Sequence, residues 1–309
     1  MVRDSRRGAV GVRRVAAAAL AAATLVGVVA FAQPLAAAEL VARGVYRWDE
    51  PLPGFGGFSG LVMAGDGLSL IAASDAGDLF RARLSRDAEG RIRRIETTWT
   101  GRFLDNFGKP VEGFTADAEA LAAGADGTVF VAFESYARIA GFRPPDMMPE
   151  PQNRWDRFKR FWGNEGFEAL AITPEGQLVA VLERATGKPP GYQTFLGRDG
   201  RWQAGPVLPA GGGFAAVGAD FGPDGRFYLL ERRVNLLARF STRIRRFDYA
   251  QGAFGAAQTL MTSAPGALGN MEAISLWTDA AGQVVVSLVS DDNFLPLQET
   301  TVVEFALKE

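Results

Sequence analysis

The sequence contains no cysteine and no histidine among its 309 residues. Without cysteine the fold has no disulfide bonds, so its stability must come from apolar burial and backbone hydrogen bonding. The absence of histidine excludes the Ser-His-Asp and Cys-His nucleophile systems in their usual form, and nearly all zinc sites. Any chemistry must therefore use carboxylates, hydroxyls, lysine, arginine, tyrosine or a hard metal ion.

The first 38 residues have the pattern of an export signal. Five arginines open the chain, an uncharged run extends from Val15 to Ala32, and Ala36, Ala37 and Ala38 are small residues suited to cleavage. We expect a signal peptide over residues 1–38 and a periplasmic or secreted mature chain over residues 39–309. The alternative is a membrane anchor, because about 18 apolar residues could just span a bilayer.

Removal of this leader makes the chain more acidic. Five of 33 basic residues and one of 35 acidic residues leave, so 28 minus 34 gives a formal net charge of −6. Nucleic-acid binding is not expected, because it requires a basic face that neutralises phosphates. The mature length is sufficient for one domain with a substantial core, and we expect a monomer without membrane association.

A hairpin pattern recurs five times in the mature chain. Each copy has a short strand, a tight turn containing glycine, and a second strand rich in Val, Leu and Phe. The turn glycines are separated by 60, 49, 49 and 57 residues, and weaker strand pairs lie between the copies. These turn glycines are Gly67, Gly127, Gly176, Gly225 and Gly282.

Four antiparallel strands at this period predict an all-β fold, a single β-propeller with five four-stranded blades. Six blades are possible if one is too degenerate to recognise. The last copy has one further strand from Thr300, so a strand from Leu40 is expected to complete that blade and close the ring. A β-sandwich is the competing architecture, but it does not predict such a period.

Carboxylates recur at equivalent positions of the repeat. Three of the five positions that precede the hairpin turn by eight to ten residues are glutamates, namely Glu119, Glu168 and Glu272. A second set follows the second strands and comprises Glu134, Glu183 and Glu231, with Asp75, Asp291 and Asp292 near the matching places. Since a hairpin brings these positions to the same end, both sets are expected on one face.

Two interpretations of this acidic ring are open. In the first, Glu119, Glu168 and Glu272 bind Ca²⁺, with neutral oxygens added by Asn164 and Asn270. In the second, glutamates pair with neighbouring arginines. The expected pairs are Glu134 with Arg138, Glu183 with Arg184, and Glu231 with Arg232 or Arg233.

The segments GGFSGL from Gly56, EALA, EAIS and above all SDDNFLPLQETTVVEF from Ser290 resemble the bacterial phytase-like family, which is also described as having esterase-like activity. The likeness covers essentially the whole mature chain. It implies an exported propeller that hydrolyses a carboxylic ester or a phosphate ester.

A hydrolase without histidine would combine calcium with a carboxylate that accepts a proton from water. The candidates for this carboxylate are Glu168 and Asp291, and the candidates for holding a small-molecule or phosphorylated substrate are Arg232, Arg233 and Asn293. Asp and Asn after a strand equally fit a turn cap. The alternative function is a non-catalytic periplasmic binding or scaffold propeller with a structural calcium.

The segment from Gly141 to Phe161 contains several prolines, two methionines and Trp155. It interrupts the strand pattern and predicts a long irregular loop. Such a loop could roof a pocket or cover an exposed edge of the core.

Overall fold

The computed structural model describes residues 38–162 and 166–309. The predicted signal peptide, apart from Ala38, lies outside these residues. In the described ranges the regular structure consists of strands and two short 3-10 helices, Gly113–Thr115 and Lys159–Phe161. None of the helices found there is long and apolar enough to cross a membrane.

The strands are numbered in chain order. They are β1 (Glu39–Arg47), β2 (Phe58–Met63), β3 (Ser69–Ser74), β4 (Asp78–Arg86), β5 (Ile92–Arg102), β6 (Ala118–Ala123), β7 (Val129–Phe133), β8 (Arg138–Arg143), β9 (Asp146–Pro151), β10 (Phe167–Ile172), β11 (Leu178–Leu182), β12 (Gly191–Tyr192), β13 (Thr194–Arg198), β14 (Arg201–Ala204), β15 (Leu208–Pro209), β16 (Ala215–Phe221), β17 (Phe227–Val234), β18 (Phe240–Phe247), β19 (Tyr249–Ala250), β20 (Ala253–Phe254), β21 (Gln258–Thr262), β22 (Met271–Thr278), β23 (Val284–Ser290) and β24 (Thr301–Lys308).

Five four-stranded antiparallel sheets form the blades of a β-propeller, which confirms the predicted fold. Blade 1 is β2-β3-β4-β5, blade 2 is β6-β7-β8-β9, blade 3 is β10-β11-β13-β14, blade 4 is β16-β17-β18-β21 and blade 5 is β22-β23-β24-β1. The innermost strands β2, β6, β10, β16 and β22 contact one another in a closed ring. Two-stranded ribbons, β12-β15 and β19-β20, accompany blades 3 and 4.

The two ends of the described chain close this ring. Strand β1 pairs antiparallel with β24, so that Glu39 lies opposite Lys308 and Arg47 lies opposite Thr301. Blade 5 therefore takes three strands from the end of the chain and its outermost strand from the beginning, as predicted.

The core consists of five apolar clusters, one between each pair of neighbouring blades. Because both faces of a blade are covered, apolar residues can follow one another along an inner strand without alternating with polar ones. Strand β11, with the sequence LVAVL, is buried throughout. Each blade is stabilised by both of its neighbours.

The axis of the ring is filled with side chains. Leu61, Leu121, Leu170 and Ile274 from four inner strands line a central cavity of only about 10 Å³. That volume barely admits one water molecule. The two faces of the ring are therefore separate surfaces.

The prediction for residues Gly141 to Phe161 is partly wrong. Strand β9, from Asp146 to Pro151, completes blade 2 as its outermost strand, and Met147 is buried in the core between blades 1 and 2. An outermost strand tolerates proline because one of its edges needs no ladder hydrogen bonds. The prolines therefore made strand β9 look like an irregular loop in the sequence.

Candidate metal centre on the acidic face

Each innermost strand carries a β-bulge near its start. The residues left out of the pairing register are Ser59, Glu119, Glu168, Val217 and Glu272. A bulge changes the direction of its side chain and interrupts pairing. The glutamates aligned in the sequence thus occupy one structural position, the bulge beside the axis.

The ends of the second strands lie next to these bulges. The backbone N–H groups of Asp75, Glu134 and Asp291 donate to the carbonyl oxygens of Gly57, Asp117 and Asn270, which precede the innermost strands, over 2.8, 3.0 and 2.9 Å. Both carboxylate sets therefore lie at one end of the hairpins. We call this surface the acidic face and define it by Asp75, Asp117, Glu119, Glu134, Glu168, Glu183, Glu272 and Asp291.

Three of these carboxylates converge in blade 2. Asp117, Glu119 and Glu134 each place one oxygen within 4.8 Å of the others, and all three are half-buried. Burial and the charges of Glu168 and Asp117 raise the pKa of Glu119 well above its usual range. Burial and the charge of Asp117 raise the pKa of Glu134 to about 7. Convergent, half-buried carboxylate oxygens are the donors that Ca²⁺ prefers.

Asp117 was missed in the sequence because it lies just before β6, outside the aligned positions. The spacing of Asp117 and Glu119 was an available signal, since residues two apart in an extended chain project to the same side. Ser135 contacts this aspartate, with its hydroxyl 3.3 Å from a carboxylate oxygen.

Glu272 occupies a different environment from the one expected for a metal ligand. Its carboxylate forms an ion pair with Arg232, which also donates to the side-chain oxygen of Asn270 over 2.8 Å. Glu134, by contrast, belongs to the carboxylate cluster, while Arg138 donates to the carbonyl of Thr115. The structure thus pairs Glu272 with an arginine and places Glu134 among carboxylates, because strand β17 brings Arg232 against blade 5. Asn164 lies outside the described residues.

Glu168 lies between the cluster and a second carboxylate. Burial and the charge of Glu183 raise the pKa of Glu168 to about 8, although Arg232 and Arg184 act in the opposite direction. Glu183 approaches Arg184 at 3.4 Å, the partner expected from the sequence. Glu168 is therefore a half-buried carboxyl group with a raised pKa, which suits a proton acceptor.

Glu231 stabilises the fold and is not part of the acidic face. It is fully buried and accepts hydrogen bonds of 2.6 to 2.9 Å from Arg243, Arg245 and Tyr192. The sequence predicted an arginine pair at Glu231, but with the adjacent Arg232 or Arg233. The arginine partners come from the paired strand β18, because a strand neighbour reaches a buried carboxylate better than the next residue along the chain.

The SDDN segment forms a turn whose caps are aspartates. Asp291 accepts from the backbone N–H of Asn293 at 2.6 Å, and Asp292 accepts from the N–H groups of Gly57 and Phe294, both at 3.0 Å. Asp292 thereby joins blade 5 to the loop before blade 1. Asp291 is buried, and that burial raises its pKa.

The remaining substrate-binding candidates lie at the margin of this surface. Asn293 is exposed, with its side-chain N–H donating to Gln298 over 2.9 Å. Arg233 donates to the carbonyl of Gly212 over 3.0 Å and lies 4.7 Å from the ring centre of Phe214. Arg232 is closer to the carboxylates because of its pair with Glu272.

The sequence profile of the phytase-like family, described as "esterase-like activity of phytase", matches residues 53–294. The chain belongs to the phytase-like family. The match includes all the carboxylates of the acidic face and four of the five blades completely, and it ends within the SDDN turn. No curated protein matches the chain.

Two solved structures illustrate what this phytase-like protein is similar to in fold. An α-L-arabinofuranosidase from Podospora anserina, in complex with cellotriose, has a TM-score of 0.52 at 11% identity and covers 88% of this chain and 97% of its own. A protein of unknown function from Dyadobacter fermentans has a TM-score of 0.45 at 15% identity, covering 81% and 75%. At these identities the likeness concerns the fold alone.

Proposed function

We propose that this phytase-like protein is an exported, calcium-assisted hydrolase of a carboxylic ester or a phosphate ester. The observation that carries the proposal is the convergence of Asp117, Glu119 and Glu134 within 4.8 Å on the acidic face. Family membership supports the reaction class. Export rests on the sequence of residues 1–38, and N-terminal sequencing of protein recovered from the periplasm checks cleavage after Ala38.

The charge balance of this face favours a bound cation. Eight carboxylates define it, and the arginines that act on them are Arg138, Arg184 and Arg232. The pKa of Asp75 is raised to about 7 by burial and by the charges of Asp291 and Asp117. A face crowded with like charges must take up protons or a cation, and a hard divalent ion suits oxygen donors at several positions.

The residues of the acidic face would have three roles, namely metal binding, proton acceptance and substrate binding. Asp117, Glu119 and Glu134 would hold the ion, which when bound would polarise a phosphoryl or carbonyl oxygen of the substrate. Glu168, with its pKa raised to about 8, would accept a proton from the attacking water. Arg232, held by Glu272 and Asn270, would present its guanidinium to an anionic substrate group.

The proposal is tested by assaying hydrolysis of p-nitrophenyl phosphate and p-nitrophenyl acetate with calcium and with chelator. We expect turnover that requires calcium, and loss of most of it in Glu119→Gln and Glu168→Gln. Glu175→Gln is the matched control, because Glu175 is an exposed glutamate in the β10–β11 turn at the opposite end of the hairpin. This variant should retain full activity.

Equal turnover in wild type with and without calcium would refute the assisted mechanism. If neither ester is hydrolysed by folded protein, yet calcium raises the melting midpoint of wild type and not of Glu119→Gln, the second candidate function stands. That function is a periplasmic binding propeller with a structural calcium, and the same convergence of carboxylates supports it.

A further inference from the structure

A cavity of about 400 Å³ lies in blade 2, between its outer strands and the loop from Leu104 to Thr115. Its volume falls in the range of small-molecule sites. The walls are mostly apolar and include the aromatic rings of Phe133, Tyr136 and Trp155. These walls offer flat apolar surface to a ligand.

One cation lies in this lining. The guanidinium of Arg138 stacks over the ring of Phe133 at 3.9 Å, and its Nη2 donates to the carbonyl of Thr115. Its Nη1 is buried and, within residues 38–162 and 166–309, has no hydrogen-bond partner. Burial lowers the pKa of Arg138 to about 10, so the group remains charged at neutral pH. A buried charged donor without an acceptor is costly, and an anionic ligand would relieve that cost.

Three other polar side chains of the lining hydrogen-bond within the fold. Asn153 accepts from the N–H of Ile139 at 2.7 Å and donates to the carbonyl of Arg154. Thr115 donates to the carbonyl of Glu112 over 2.8 Å. Asp105 accepts from the N–H groups that close its own turn. The lining therefore combines apolar surface with one guanidinium whose Nη1 has no hydrogen-bond partner among the described residues, although the charge of Asp117 acts on the same group.

We propose that this cavity binds an apolar monocarboxylate, with the carboxylate at Arg138 and the hydrocarbon or aromatic body against Phe133, Tyr136 and Trp155. A single guanidinium matches the single charge of a carboxylate, whereas a phosphate dianion would call for further cations. The apolar walls disfavour a polyol, whose hydroxyl groups would lose their hydrogen bonds to water. Asp117 of the carboxylate cluster acts on Arg138, so the site is tested with calcium removed.

The test is a calorimetric titration of full-length mature protein, in chelator, with phenylbutyrate and with the neutral phenylbutyramide. We expect the acid to bind at least about tenfold more tightly than the amide, since a charged hydrogen bond contributes about 1.5–3 kcal/mol. Arg138→Gln should remove this preference. Arg143→Gln at the other end of β8 is the control and should retain it, because Arg143 is exposed and pairs with Asp126 and Glu150.

A second variant keeps the test decisive if Arg138→Gln does not fold. Trp155 is 69% exposed, so Trp155→Ala should fold normally while weakening the acid and the amide by the same factor. Equal binding of acid and amide to wild type, or no binding of either, would overturn the proposal. Because chelator is present throughout, these outcomes are independent of whether the acidic face binds calcium or hydrolyses esters.

Discussion

Glu231 and Glu304 are carboxylates whose burial is compensated by arginine. Glu304 in blade 5 accepts two hydrogen bonds from Arg86 in blade 1, at 2.7 and 2.9 Å, and Glu231 accepts from two arginines and a tyrosine. Glu168 is only half-buried, and its strongest charged neighbour is a carboxylate, so that burial and this charge raise its pKa. The charged partner therefore distinguishes glutamates that stabilise the fold from one that is available to a cation or a proton.

Replacing Glu231 should therefore be strongly destabilising. In Glu231→Gln the guanidinium groups of Arg243 and Arg245 lose their buried counter-charge, and we expect a loss of about 3–5 kcal/mol in the free energy of unfolding. Urea unfolding measures this value. Tyr192→Phe removes one hydrogen bond to the same carboxylate and should cost only about 0.5–1.5 kcal/mol. A loss in Glu231→Gln no larger than that in Tyr192→Phe would contradict the ion-pair interpretation.

The hairpins could be predicted because their signals are local. The glycines expected in the inner turns, Gly67, Gly127, Gly176, Gly225 and Gly282, all have positive φ, between 68° and 82°. The number of strands and the alignment of the bulge glutamates could also be predicted, because both follow from the sequence repeat. Contacts between blades could not be predicted this way. Arg232 with Glu272, and Arg86 with Glu304, join residues that are distant in the chain, so the sequence pattern contains no sign of them.

Two of these turn glycines provide a matched comparison. A Cβ added at Gly176 would meet nothing within 4 Å, whereas one added at Gly67 would lie 2.3 Å from the ring of Trp277. Gly176→Ala should cost about 1–2 kcal/mol for its backbone conformation alone. Gly67→Ala should cost about 1–3 kcal/mol more, because Trp277 must move away from Arg86, which stacks on it at 4.4 Å. Equal unfolding free energies for the two variants would show that Trp277 moves freely.

Several carboxyl groups with raised pKa values lie together on one face of the ring. Asp75, Glu134 and Glu168 lie on the acidic face, where burial and neighbouring carboxylates raise their pKa values. Asp220 faces the opposite end of the hairpins, and burial raises its pKa to about 7 although it accepts from the N–H of Leu276 at 2.7 Å. Each of these groups binds its proton more tightly in the folded than in the unfolded state.

Stability in chelator should accordingly decrease as the pH rises. Groups with raised pKa values stabilise the fold fully below their unfolded pKa, near 4, and this contribution is lost as the pH passes about 7 to 8. Calcium competes with the protons, so it should raise the melting midpoint more at about pH 8 than at about pH 5.5. At about 100 times its dissociation constant it should add about 2.7 kcal/mol, or several degrees.

Melting curves at both pH values, with calcium and with chelator, measure these shifts. Asp220→Asn is the control, because it should weaken the pH dependence in chelator and leave the calcium shift unchanged. A midpoint that is insensitive to calcium at both pH values would eliminate the metal centre on the acidic face.

The pairing of β1 with β24 brings the two ends of the described chain together, so the fold should tolerate circular permutation. Glu39 and Lys308 lie opposite each other on adjacent strands, and adjacent strands are only about 4.8 Å apart. A short linker could join them, and the exposed turn at Gly176 could be opened to give new termini. In such a circular permutant blade 5 would become continuous and blade 3 would be the one assembled from both ends.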